Sequence, residues 1–188
     1  IKCFTNSLRS NPKNPESYNL RGLAYIHKGQ MKRAISDFNK VIELNPEFAD
    51  AYNNRGTIYA GANMAKEAES DFKMVLQLKK GEPQAYYNLG FLSNKCVDFD
   101  SAINYFDIAE KLFKDTPNSD VYYQRGISYF NKGLYQHAVN DFSKTIKLMM
   151  DDADAYRFRG LCWEKLGDMK KANADLMHAV KLNPSFTK

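Results

Sequence analysis

Glycine and proline are scarce, at 10 and 6 of 188 residues. That scarcity excludes a collagenous chain and a low-complexity linker. With 44% hydrophobic and 26% charged residues, the chain is not a disordered acidic tail either. Long apolar runs are missing. None approaches the roughly 18 residues that span a membrane, and Ile146 to Met150 is broken by Lys147. Charge of one sign is not concentrated: the formal net charge is +5, with no cluster of five like charges, which speaks against nucleic acid as a partner. Cys3, Cys96 and Cys162 are few, far apart and form no CxxC pair, and His27, His137 and His178 are equally scattered. The cysteines therefore read as buried or half-buried thiols in a reducing, cytoplasmic compartment, not as a disulfide frame or a metal site. No nucleophile elbow, P-loop, dinucleotide fingerprint or HExxH occurs. The acidic stretch Asp151-Asp152-Ala153-Asp154 reads as a helix cap, as do Asp98 and Asp100. No catalytic, cofactor-binding or metal-ligating residue is expected, and the chain is not expected to be an enzyme.

What the chain does have is itself, repeated. Gly22, Gly56 and Gly90 are 34 residues apart, Gly126 follows after 36 and Gly160 after a further 34. A tyrosine lies four residues before each: Tyr18, Tyr52, Tyr86, Tyr122 and Tyr156. An alanine lies twelve after each, and four beyond it stands Phe38, Phe72, Phe106, Phe142 or Leu176. Spacings of three and four place each set on one face of a helix. Gly29, Asn63, Gly133 and Gly167 fall between the two sets and tolerate a left-handed helix end. Small Gly and Ala at matched points let two helices approach closely. The unit is an antiparallel helix pair.

These residues closely resemble the tetratricopeptide repeat (TPR) family over essentially the whole chain. The resemblance implies an all-α fold, a right-handed α-solenoid of antiparallel helix pairs. Counting the signature glycine as position eight, the repeats span 15–48, 49–82, 83–118 with two inserted residues, 119–152 and 153–188 with a tail. Residues 1–14 match the second helix of a truncated repeat, with Phe4 and Pro12 in the expected places. One helix pair cannot bury its own apolar face, so neighbours must supply the core. The chain starts within a repeat, and its final helix still carries Leu176, Val180 and Leu182. It is therefore expected to be a piece of a longer array, or to self-associate through uncapped ends.

Two differences among the repeats carry information. Arg21, Arg55, Arg125 and Arg159 stand at position seven, and Asp37, Asp71, Asp141 and Asp175 stand sixteen residues later. The third repeat has Leu89 and Tyr105 instead. Joint presence and joint loss predict an Arg–carboxylate contact between the two helices of a pair. That repeat also has Val97 for the turn glycine and two extra residues near Asp115–Asn118, which lengthen either the loop or the second helix.

The other difference lies where the resemblance implies a ligand groove, on the first helix of each pair. Asn54 and Asn88 are expected to hold an extended backbone, since an amide both donates and accepts. Tyr87, Phe91, Tyr123, Ile127 and Phe130 are expected to form an apolar, aromatic patch, with Lys95, Arg157 and Lys165 adding positive charge. For the position-nine residues, burial between neighbouring first helices is the competing expectation.

The residues thus point to a non-catalytic scaffold that binds a peptide or helix of a protein partner, one with apolar anchors and acidic groups. Two alternatives stay open: a structural spacer or self-association module, and a regulatory or targeting region of a longer enzyme. Some relatives clamp the C-terminal carboxylate of heat-shock chaperones. The clamp's Lys and Asn are replaced by Asn19 and Leu23, its later Lys and Arg by Gln84 and Asn88, and only Asn54 matches. That speaks against a chaperone tail.

Overall fold

A computed structural model describes residues 1–187. Among them are α1 (Lys2–Ser10), α2 (Pro15–His27), α3 (Met31–Leu44), α4 (Ala49–Gly61), α5 (Ala65–Leu78), α6 (Pro83–Lys95), α7 (Phe99–Leu112), α8 (Ser119–Asn131), α9 (Tyr135–Leu148), α10 (Ala153–Lys165), α11 (Met169–Leu182) and a short 3₁₀ turn, Pro184–Phe186. No strand occurs among the described residues. The chain forms two compact units, Ile1–Asn88 and Leu89–Lys188, with the division inside α6.

Local chemistry sets the helix ends. The side chains of Asn14, Asp98, Asn118, Asp152 and Asp168 accept hydrogen bonds from backbone N–H groups at helix starts, satisfying donors that have no partner in the helix. Asp152 and Asp98 are caps, as the sequence suggests. Asp100 is not; it pairs with Lys132. The five turns between paired helices each hold one residue at positive φ: Gly29, Asn63, Val97, Gly133 and Gly167. The two extra residues of the third repeat fall in the α7–α8 connection, because α7 keeps the 14-residue length of the other second helices.

In unit 1 the pairs are α2 with α3 and α4 with α5. A β-carbon on Gly56 would lie 2.8 Å from the Phe72 ring, so the helices of that pair meet only because the glycine has no side chain. Phe38 and Phe72 are fully buried there, and in unit 2 Phe106 and Phe142 hold the equivalent places. Truncating one of these rings costs about 3–5 kcal/mol.

The arginines join the helices as expected. Arg21 Nε donates to Asp37 Oδ2 at 2.8 Å and Nη2 to Asp37 Oδ1 at 2.7 Å. Arg55 with Asp71, Arg125 with Asp141 and Arg159 with Asp175 repeat this two-bond geometry. A rigid guanidinium fork matched to a carboxylate is the strong form of such a bond. Hydrogen bonding to Asp37 raises the pKa of Arg21, and Asp71 does the same for Arg55.

The cysteines depart from expectation. Only Cys162 is buried, and burial pushes its thiol up to about 12. Cys3, in α1, and Cys96, in the turn after α6, are exposed.

Candidate interaction face

In unit 1 the first helices are laced by amides. Asn54 Nδ2 donates to Asn19 Oδ1 at 3.4 Å, joining α4 to α2. Asn88 Nδ2 donates to Asn53 Oδ1 at 2.8 Å, joining α6 to α4, and Gln84 Nε2 donates to Asn88 Oδ1 at 3.1 Å. Asn54 and Asn88 thus spend part of their hydrogen-bonding capacity on neighbouring helices. Tyr87 is half-buried beside Asn88.

In unit 2 the predicted aromatic patch is largely packed on itself. Tyr123, Ile127 and Phe130 are half-buried against a core of Ala138, Val139, Phe142 and Cys162. Tyr123 meets Phe142 edge-on at 5.9 Å and Phe158 at 6.2 Å. Phe130 meets Phe158 at 5.6 Å, and Phe158 stacks on Phe142 at 5.7 Å. Burial, reinforced by the charges of Asp154 and Asp152, pushes the Tyr123 phenol up to about 12. The sequence reading placed Tyr123 in the aromatic patch of the groove. The structure gives it a packing role, because the neighbouring helix offers Phe158 at position six, where the second, third and fourth repeats have the amides Asn54, Asn88 and Gln124.

Around these rings the face is more open. Phe91, Lys95 and Lys165 are exposed. The guanidinium of Arg157 lies 5.1 Å from the centres of both the Phe158 and Phe186 rings. Phe186 belongs to the 3₁₀ turn, which borders a cavity of about 460 Å³ with Arg157, Leu161, Leu176 and Val180. The end of α11 is therefore partly covered by the chain's own tail. Such cation–ring contacts hold Arg157 in place at roughly 0.5–1 kcal/mol each where exposed.

Three residues outside the predicted set shape the face. Phe158 closes the aromatic cluster. Asn94 donates Nδ2 to the Gln124 carbonyl at 3.0 Å and accepts from Ser128 Oγ at 2.7 Å, tying the end of α6 to α8. Phe186 covers Arg157. Phe158 and Asn94 share the register of recognised face positions and were readable there; Phe186 lies beyond the last repeat signature and left no such signal.

Sequence comparison agrees with this architecture. Three family models match, one described as TPR repeat over residues 22–62 and two as tetratricopeptide repeat over residues 3–36 and 123–184. The chain belongs to the tetratricopeptide repeat family. It is a TPR scaffold of the kind that supports protein–protein interaction.

Curated relatives match only in part. Hsp70-Hsp90 organizing protein 3 of Arabidopsis thaliana is 35% identical over 65 residues, 35% of this chain and 12% of that protein. The Hsp70-Hsp90 organizing protein of Triticum aestivum is 28% identical over 82 residues, 44% of this chain and 14% of that one. The matched segments thus span under a sixth of those relatives. Among solved structures, YrrB, described as a TPR protein with an unusual peptide-binding site, has a TM-score of 0.76 at 24% identity, covering 96% of this chain and 92% of that one. Cut9-Hcn1 of the APC/C has a TM-score of 0.82 at 19% identity, covering 96% and 36%. At such identity these structures speak for the TPR fold alone. Among the described residues, no helix is long and apolar enough to cross a membrane.

Proposed function

We propose that this TPR chain is a non-catalytic scaffold whose first helices hold a peptide or helix of a protein partner. One observation carries the reading. Successive first helices lie side by side within each unit, through Asn54 on Asn19 in unit 1 and Tyr123 against Phe158 in unit 2. The same helices leave Phe91, Lys95 and Lys165 exposed. An apolar ring near lysines favours a partner with apolar and acidic groups, whose binding weakens as salt rises. Because Tyr123 and Phe130 already pack against Phe158, contact in unit 2 falls chiefly on Phe91, Lys95, Arg157 and Lys165. In unit 1 it falls on the remaining amide capacity of Asn54 and Asn88 and on Tyr87.

The test is site-specific photo-cross-linking. A cross-linking residue at Phe91 or Lys165 should capture the partner, and one at Lys73 or Lys147 on the second helices should not. Capture confined to the second-helix sites overturns the reading.

The relatives favour a second reading, the C-terminal tail of a heat-shock chaperone. Against it, Gln84 and Asn88 bond to each other where clamps place cations, so unit 1 offers a terminal carboxylate amides and no matching charge. Titration with a chaperone tail peptide and its C-terminally amidated form decides between them. Binding that disappears on amidation would establish the clamp.

A further inference from the structure

Unit 1 contains an open apolar cavity of about 350 Å³, lined by Ile26, Met31, Thr57, Ile58, Gly61 and Ala62. It lies where α2, α3 and α4 meet. The repeats allow it to be compared with the same register in unit 2, 104 residues later. There Phe130 stands for Ile26, Tyr135 for Met31, Leu161 for Thr57 and Lys165 for Gly61. Ala62 is likewise smaller than its counterpart Leu166; only Ile58 is larger, against Cys162. In unit 2 the rings of Phe130 and Tyr135 pack together at 5.7 Å, and Phe130 continues onto Phe158. In unit 1 the residue at Phe158's register is Asn54, which turns to Asn19. One part of the chain fills this place with its own rings, and the other leaves it open.

On the α2–α3 side of the cavity the charge is of one sign. No Asp or Glu occurs from Ser17 to Ser36. Lys28, two residues after Ile26, and Lys32, which follows Met31, are both exposed. Met31 itself is 42% exposed at the cavity edge. The Thr57 hydroxyl is bonded to the Asn53 carbonyl at 2.9 Å, so it places no unspent donor in the cavity.

We propose that this cavity receives one aromatic side chain from an acidic segment of a protein partner, supplying from outside the ring that Phe130 supplies within unit 2. The inference rests on the peptide-scaffold reading and adds the anchor, its chemistry and its place. A volume of about 350 Å³ is in the range of pockets that enclose a ring, and the flanking Lys28 and Lys32 select acidic neighbours by charge.

The test is methyl NMR on protein labelled at Ile and Met. The probe is a capped pentapeptide with a central phenylalanine and two acidic residues on each side. Saturable shifts at Ile26, Ile58 and Met31 are expected. A central alanine, or lysine flanks, should weaken binding about tenfold. Gly61→Leu places its side chain in open space, since nothing lies within 4 Å of a β-carbon there, so the fold should persist while binding falls about tenfold. Ile26→Phe, which restores the unit 2 residue, provides a second block should that variant misfold. Shifts confined to Ile127 and Met177 overturn the pocket while leaving the scaffold reading standing. No shift at millimolar peptide also overturns it, and equal binding of the lysine-flanked peptide overturns the acidic partner. Failure of the scaffold reading shows separately, in the cross-linking pattern.

Discussion

Arg55 donates Nη1 to Asn39 of the preceding helix pair at 2.6 Å. Its other two bonds go to Asp71 in its own pair, so one guanidinium holds three helices. Arg159 does the same with Ser143 at 3.1 Å, and Arg125 with Asp107 at 2.6 Å. Where it occurs, the arginine at position seven therefore fastens its pair internally and also to the helix before that pair. Thr5 accepts more weakly from Arg21, at 3.5 Å.

Arg55→Leu leaves Asp71, nearly buried, without its partner, and should cost about 3–5 kcal/mol. Adding Asp71→Tyr, the combination that the third repeat carries at Leu89 and Tyr105, should recover part of that loss. Denaturant unfolding of the four species measures the coupling. A coupling near zero would mean that the geometry contributes nothing to stability.

Acid should act first on the Arg125 cluster. Arg125 is 5% exposed and bonds to Asp141, Asp107 and Glu110, while Lys144 bonds to Glu110 at 2.8 Å. Burial works to raise the Glu110 pKa, but Lys144 and Arg125 outweigh it and hold the carboxyl below its ordinary value. A depressed carboxylate stabilises the fold above its unfolded pKa of about 4.3. That contribution is lost as pH falls through the lower folded value. Burial moves Asp141 the other way, upward, against the pull of Arg125. Glu110→Gln should lower stability at neutral pH and flatten its decline below about pH 4.3. Urea midpoints of both proteins across this range check it. A parallel decline in both would remove Glu110 from the account.

The helix pairing and the Arg–Asp contact were legible because both rest on fixed residue types at fixed spacing. The third arm of each arginine was not. Its acceptors, Thr5, Asn39, Asp107 and Ser143, share one register, sixteen residues before the arginine or eighteen across the insertion, but differ in residue type, so no fixed residue marked them. The aromatic patch was half legible for a related reason. Position along the helix shows which face Tyr123 occupies, but whether a ring meets solvent or protein depends on the next repeat. There Phe158 receives it, whereas Asn54 at the same register meets an asparagine.

Tyr123→Ala should therefore destabilise the protein, since it removes ring contacts with Phe142 and Phe158. Loss of a half-buried aromatic in such a cluster costs on the order of 2–3 kcal/mol, below the cost for a fully buried ring. Arg157→Ala should cost about 1 kcal/mol or less, because its ring contacts are partly solvated. Thermal melting of the two variants separates them. An unchanged melting temperature for Tyr123→Ala would return that ring to the binding surface.

Val97 is the sharpest local conflict between residue and backbone. It sits at φ 63° in the turn between α6 and α7, where Gly29, Gly133 and Gly167 occupy the corresponding turns. A β-branched side chain in the left-handed region crowds its own carbonyl, at a cost of roughly 1–2 kcal/mol. Val97 is 69% exposed, so its side chain gains little from burial in return. Val97→Gly should raise stability by about 1 kcal/mol, even though glycine adds entropy to the unfolded chain. Asn63, at φ 59°, is a milder case because asparagine tolerates that region, and Asn63→Gly should change stability much less. Equilibrium unfolding of both variants gives the comparison. If Val97→Gly proves neutral or destabilising, the turn relaxes around valine, and the left-handed geometry there is not a source of strain.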